Sequence, residues 1–384
     1  MNALSKKTNV KNVIFTLVLF SIILRKYMIS FVDPSINIGL IKSILFYGSI
    51  ATLGILFLLD SKKSITEILL VAGCSILYII NREGAILLIV LLAVAAKNID
   101  DKYIVKNYLI ISVIFLTISI LIFNLFPWLE YNHEVHYRYI DALNISVPRL
   151  DYGLGNPNAV FYHMVTIYTA YIFLRFEKYN NWDRLLLFGT SILIYQNTYS
   201  RTGFYTVVAG LVFVEIIRFL DIKKIKPLSY LAKVSPILLT VVSVIIGTVF
   251  YKNSALNRLL ASRPKYWNVY LSQEGNFLNP FGNAYSSVIK SNNPLDNSYV
   301  YIVCMLGLVA FALFAYIMYM GIKSFIEKDK KKYLSIIVIF LIYCFAENLL
   351  LEAAFSFGII LVIKEIMLND KREINIYEIF KRKS

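Results

Sequence analysis

The feature that most constrains this chain is its succession of apolar runs. From Val13 to Leu368, stretches of up to about 20 apolar residues follow one another, broken mostly by short polar connections. Runs of that length in lipid fold as helices, because a helix satisfies its own backbone groups and an open strand does not. The spacing predicts about twelve helices, over 13–32, 38–59, 65–80, 84–97, 106–126, 157–176, 184–199, 202–220, 234–252, 298–320, 333–348 and 350–368. With 58% hydrophobic and 16% charged residues and a mean hydropathy of +0.65, an ordinary soluble domain is excluded. The expected fold is therefore all-α: a polytopic integral membrane protein with a single membrane domain over 1–384. No small-residue cleavage site follows the first run, which reads as a retained span rather than a removable signal peptide.

Sidedness follows from the basic residues. On alternating connections, the side that holds the N-terminus carries 27 of the 39 Lys and Arg, in segments such as "DSKKS", "KSFIEKDKKK" and the basic tail 369–384, and the opposite side carries 9. Positive charge favours the cytoplasmic side, so both termini are expected there. Two long external loops result, 127–156 and 253–297. Arg25, Lys26 and Lys42 fall within the first two spans, where snorkelling to headgroups is the only account of them.

The net charge of +15 does not imply nucleic acid, because the basic residues flank apolar runs and no soluble basic domain holds them. Anionic membrane lipids are the expected partner. Cys74, Cys304 and Cys344 lie in apolar segments without a C-x-x-C pair, and "HEVH" is one residue short of the H-E-x-x-H pattern, so neither metal nor cofactor is expected.

The external connections carry the chemistry. In "PRLDYGLGNPNAVF", Asn156 is suited to cap a helix and Pro157 to open it, which turns the positive end of that helix outward. Gly153 and Gly155 permit positive φ, and with Asn156, Asn158 and the adjacent Arg149 they form a candidate phosphate cradle. The arrangement recurs at "YSRTGF", where Ser200 is a candidate cap and Arg201 stands at the helix mouth. It recurs again at "NNPLDNSYVY", where Asp296 or Ser298 is the candidate cap, after the segment that contains Arg263. Arginine rather than lysine suits bidentate phosphate binding.

Candidate bases are Asp296, Asp141 and His163, with the loop histidines His133 and His136 read as solvated. Glu347 and Glu352 bracket the last external turn and are open to an interfacial or a functional role. Tyr152, Tyr266, Trp267 and Tyr285 are candidate stacking surfaces for sugar rings, with Asn279, Gly282 and Asn297 as further glycan contacts, although such aromatics also serve as interfacial anchors.

Three motifs, "RLDYGLGNPN", "YSRTG" and "RPKYW" followed by "NPFGNAYSS" and "LDNSYVY", carry a resemblance over about residues 145–320 to the Wzy-type polymerases of O-antigen and capsular polysaccharides, which share a superfamily with the O-antigen ligases. The resemblance implies a metal-independent glycosyltransferase of the bacterial cytoplasmic membrane that joins repeat units carried on undecaprenyl pyrophosphate, with a flippase and a chain-length regulator as companions. It implies that Arg149, Arg201 and Arg263 hold the donor pyrophosphate. Related ligases tend to show His-Asn where this chain has Asp296-Asn297, which favours the polymerase. A ligase-like transferase and a lipid-linked oligosaccharide flippase remain open alternatives.

Overall fold

The computed structural model describes residues 3–28, 35–126, 128, 136–140, 144–272, 278–283 and 294–375. In chain order the helices are α1 (Ala3–Tyr27), α2 (Ile38–Leu59), α3 (Ile65–Asn81), α4 (Ala85–Ala96), α5 (Asp101–Leu125), α6 (Pro157–Arg175), α7 (Asn181–Thr198), α8 (Arg201–Phe219), α9 (Lys226–Thr248), α10 (Ser254–Leu259), α11 (Arg263–Leu271), α12 (Ser298–Tyr301), α13 (Gly307–Glu327), α14 (Lys331–Ala346) and α15 (Phe357–Asn369). A π-helical stretch, Ile302–Leu306, joins α12 to α13. Strands β1 (Lys62–Ser64) and β4 (Glu373–Asn375) pair antiparallel, as do β2 (His136–Ile140) and β3 (Ile145–Arg149).

The fold is thus almost entirely helical, with two short ribbons as the departure from an all-α chain. Among the described residues six helices are long and apolar enough to cross a membrane: Ile38–Leu59, Asp101–Leu125, Pro157–Lys178, Arg201–Phe219, Lys226–Thr248 and Ser298–Glu327. They make the chain a helical membrane protein, and they account for half of the twelve expected crossings. Boundaries also move. The ninth expected segment starts earlier, at Lys226, where Pro227 suits a first helical turn, and the last begins at Phe357 rather than 350.

The chain divides into two compact units, Met1–Thr52 with Ile99–Val212 and Leu53–Asn98 with Phe213–Ser384. In the first, α5 packs on α1 and α6, and α6 is the central helix, buried over most of its length. Hydroxyls lock these contacts: Tyr27 donates to the Ser112 carbonyl at 3.3 Å, and Tyr168 and Thr190 share a 2.5 Å hydrogen bond between α6 and α7. Gly203 in α8 lies where a Cβ would come within 2.5 Å of the Phe161 ring, so the first turns of α6 and α8 touch.

In the second unit α4 and α15 are buried on nearly every side, with α3, α13 and α14 packed around them and α9 packed on α13. The π-helical break leaves backbone groups unsatisfied, and residues 278–283 fill them: Leu308 and Val309 N–H donate to the carbonyls of Asn279 and Pro280 at 3.2 and 3.0 Å, and the Asn283 backbone and side chain both donate to the Cys304 carbonyl at 3.1 Å. Gly282 has φ +81°, and a Cβ there would lie 2.2 Å from the Met305 carbonyl oxygen. Asn279 and Gly282, expected as glycan contacts, therefore brace the broken helix. The loops expected at 127–156 and 253–297 contain the β2–β3 hairpin and helices α10 and α11 respectively.

Candidate functional site

The first unit gathers three arginines at one junction. The segments "HYRYI" and "ISVPR" alternate aromatic or β-branched with polar residues and pair as a ribbon, in which Pro148 is tolerated because a two-stranded ribbon is all edge. One face of the ribbon carries His136, Arg138 and Arg149, with His136 opposite Arg149. At the end of α7, Tyr199 takes a left-handed φ of 47° and turns the chain into α8, which presents the carbonyls of residues 198 and 199 to the ribbon. Arg149 donates from Nε to the Thr198 carbonyl at 2.8 Å, and Arg138 from Nη1 to the Tyr199 carbonyl at 2.6 Å. Arg149 Nη2 and the Ser200 hydroxyl both donate to Asn158 Oδ1, at 2.9 and 2.8 Å. Arg201 stands exposed at the first position of α8.

These arginine contacts go to neutral acceptors. Among the described residues neither Arg138 nor Arg201 has an ion pair. Burial and the repulsion of the Arg201 charge draw Arg138 below the ordinary arginine range. Like charges held together beside the N-terminal ends of α6 and α8, where helix dipoles add further positive potential, make this junction a candidate anion site.

The cradle differs in detail from its expected form. Gly153 and Gly155 do adopt φ of 75° and 74°, and Asn156 caps α6 by accepting from the Asn158 N–H at 2.8 Å. But the Gly153 N–H donates to the buried Asp151 at 3.0 Å. The N–H groups of Gly153 and Asn158 are occupied, so the guanidinium groups rather than those amides carry the positive charge. The Ser200 hydroxyl donates to Asn158 Oδ1. Asn158 thereby orients Arg149.

Arg263 stands in a different setting, in the second unit. The positions Arg263, Pro264, Trp267, Tyr270 and Leu271 of α11 fall on one helical face, and all are buried. Arg263 Nη2 lies 2.6 Å from Glu347 Oε1 and 3.5 Å from Asp296 Oδ2. Its charge is paired with two carboxylates at the position expected to be a pyrophosphate ligand. Trp267 is fully buried against Phe345, so it is no sugar platform. Asn297 is also buried: it caps α12 by accepting from the Val300 N–H at 2.9 Å, and its amide donates to Ser243 and to the Phe345 carbonyl. Asn297 is the cap expected of Asp296 or Ser298; the Ser298 hydroxyl instead donates to the Glu347 carbonyl at 2.9 Å.

Asp296 keeps about a third of its side chain exposed (32%), and burial raises its carboxyl above the ordinary range while Arg263 opposes part of that rise. His163 is buried in α6 with its ring 4.2 Å from that of Tyr27. Tyr152 is buried as well, its carbonyl accepting from Ser119 at 2.7 Å, while Tyr266 is half-buried on α11. Asp141, His133 and Tyr285 lie outside the described residues. Among the described residues no group of His, Cys, Asp and Glu is arranged to hold a metal.

Comparison with protein-family models, with curated proteins and with solved structures returned no match.

Proposed function

We propose that the chain polymerises undecaprenyl-pyrophosphate-linked oligosaccharide repeat units on the outer face of the bacterial cytoplasmic membrane, as a Wzy-type glycosyltransferase with about twelve crossings and both termini cytoplasmic. The observation that carries this reading is the convergence of Arg138, Arg149 and Arg201 on the junction of α7 and α8. Such a cluster suits a diphosphate, whose charge relieves the mutual repulsion of the guanidinium groups. The sidedness draws support from the β1–β4 ribbon, since residues 62–64 and 373–375 must share one side to pair, as the charge count requires of that loop and that tail.

In the proposed reaction the acceptor hydroxyl oxygen bonds to the anomeric carbon of the donor glycan. The bond from that carbon to the pyrophosphate oxygen breaks, and undecaprenyl pyrophosphate leaves with the bonding pair. Arg138, Arg149 and Arg201 stabilise the charge that develops on the leaving group, in the manner of a divalent cation. The acceptor hydroxyl proton is taken up by a general base.

The test is to incubate the purified protein in liposomes, with EDTA, with synthetic undecaprenyl-pyrophosphate repeat units from its own polysaccharide locus. A product ladder that Arg138→Ala and Arg149→Ala abolish supports the reading. Absence of product with a verified substrate, together with passage of labelled lipid across the bilayer, replaces it with a transporter.

A further inference from the structure

The β2–β3 hairpin has a second face. Along β2 the residues alternate between half-buried His136 and Arg138 and exposed Tyr137 and Tyr139, which are 64% and 56% accessible. Along β3, Ser146 and Pro148 are exposed where Val147 and Arg149 are half-buried. The register sets Tyr137 against Pro148 and Tyr139 against Ser146, so these four side chains form one outward surface. The Cα atoms of the two tyrosines are about 7 Å apart, two residues along a strand. The Tyr139 hydroxyl is hydrogen-bonded to Asn144 Oδ1 at the turn, which restrains the ring.

This surface bears no charged side chain, while the reverse of the same ribbon bears Arg138 and Arg149. It contains no Leu, Phe or Ile to bury in acyl chains. Flat rings edged by hydroxyl and amide groups suit a ligand that is uncharged, ring-shaped and hydroxylated but has apolar C–H faces. A pyranose has all of these properties. The segregation of charge between the faces complements a molecule with a neutral glycan and an anionic diphosphate.

We propose that the Tyr137–Tyr139 face binds the sugar portion of a lipid-linked glycan. The choice of a glycan rests on the polymerase reading, although the binding itself requires no turnover. Strand placement makes Tyr137 and Tyr139 specificity-determining residues, a role the buried Tyr152 and Trp267 are unable to fill.

The experiment presents full-length protein in nanodiscs to an array of lipid-free bacterial capsular and O-antigen oligosaccharides, followed by titration of the best-bound glycan. The expected result is selective binding that falls roughly tenfold in the Tyr137→Ala/Tyr139→Ala double variant and survives in Tyr137→Phe/Tyr139→Phe, with unchanged melting temperatures. No glycan bound by the wild type, or equal affinity in the double alanine variant, overturns the proposal. So does quenching of a Tyr137→Trp variant by lipids brominated in their acyl chains, which would put this face in the bilayer. Because the probe lacks pyrophosphate, the two readings fail separately: chain growth with unchanged glycan affinity in the alanine variant removes only the sugar site, and glycan binding without chain growth removes only the polymerase.

Discussion

Arg263 and the arginines of the β2–β3 junction are the same residue type in opposite electrostatic situations. Arg263 is buried and meets two carboxylates, Glu347 and Asp296. Arg138 and Arg149 bond to backbone carbonyls and an amide, with exposed Arg201 close enough to repel Arg138. A compensated arginine holds elements together; Arg138, beside the like charge of Arg201, has no ion pair among the described residues. In the second unit the ion pair fastens α11 to the turn after α14, whereas in the first a backbone carbonyl fixes the Arg138 guanidinium.

The comparison breaks most visibly at Glu347. Glu347→Ala leaves buried Arg263 with the more distant, partly exposed Asp296 in place of its 2.6 Å partner, and is expected to cost up to about 3 kcal/mol, read as a large fall in melting temperature and yield. The double variant Arg263→Met/Glu347→Leu should recover much of that loss. Were Glu347→Ala as stable as the wild type, the compensated-pair account would be wrong.

Next in size are Arg138→Ala and Arg201→Ala. Each is expected to lower the rate of chain growth by about 10²–10³ in a reconstituted assay, the scale of losing one preorganised donor to developing charge. Their melting temperatures should stay close to the wild type, in contrast to the Glu347 variant.

A pH scan sharpens the contrast. Because burial raises Asp296 in the folded state, the native protein binds its proton more tightly than the unfolded chain. Stability from this group is therefore full below the ordinary aspartate range and lost as pH rises through the raised value. Asp296→Asn should flatten that part of a melting-temperature profile; an unchanged slope would contradict the assignment.

The smallest effects lie in the turn before α6. Gly155→Ala forces a side chain into φ 74° and should cost about 1 kcal/mol. Asn156→Ala removes the cap and should cost about as much, roughly 1 kcal/mol by differential melting.

Much of this arrangement was legible in the sequence, and the exceptions have physical causes. Hydropathy marks the helices because lipid enforces one backbone solution, and the cap at Asn156 with positive φ at Gly153 and Gly155 follows from local residue chemistry. Arg138 was missed as a site residue because its role depends on strand pairing across a turn, although the alternation in "HYRYI" and "ISVPR" was available as a signal. The Arg263–Glu347 pair joins positions 84 apart in sequence, which no local pattern encodes. The burial of Trp267 was readable in part, since Arg263, Trp267 and Leu271 recur at helical spacing; that period outweighs an aromatic's availability for sugars.

The most direct test of the central claim is a calorimetric titration of inorganic pyrophosphate into the full-length protein in nanodiscs with EDTA, comparing the wild type with Arg138→Ala/Arg201→Ala and with Arg263→Met/Glu347→Leu. The account predicts binding that weakens with salt, is lost in the first variant and is retained in the second. Binding retained in the first variant and lost in the second would contradict it, and would move the anion site to Arg263.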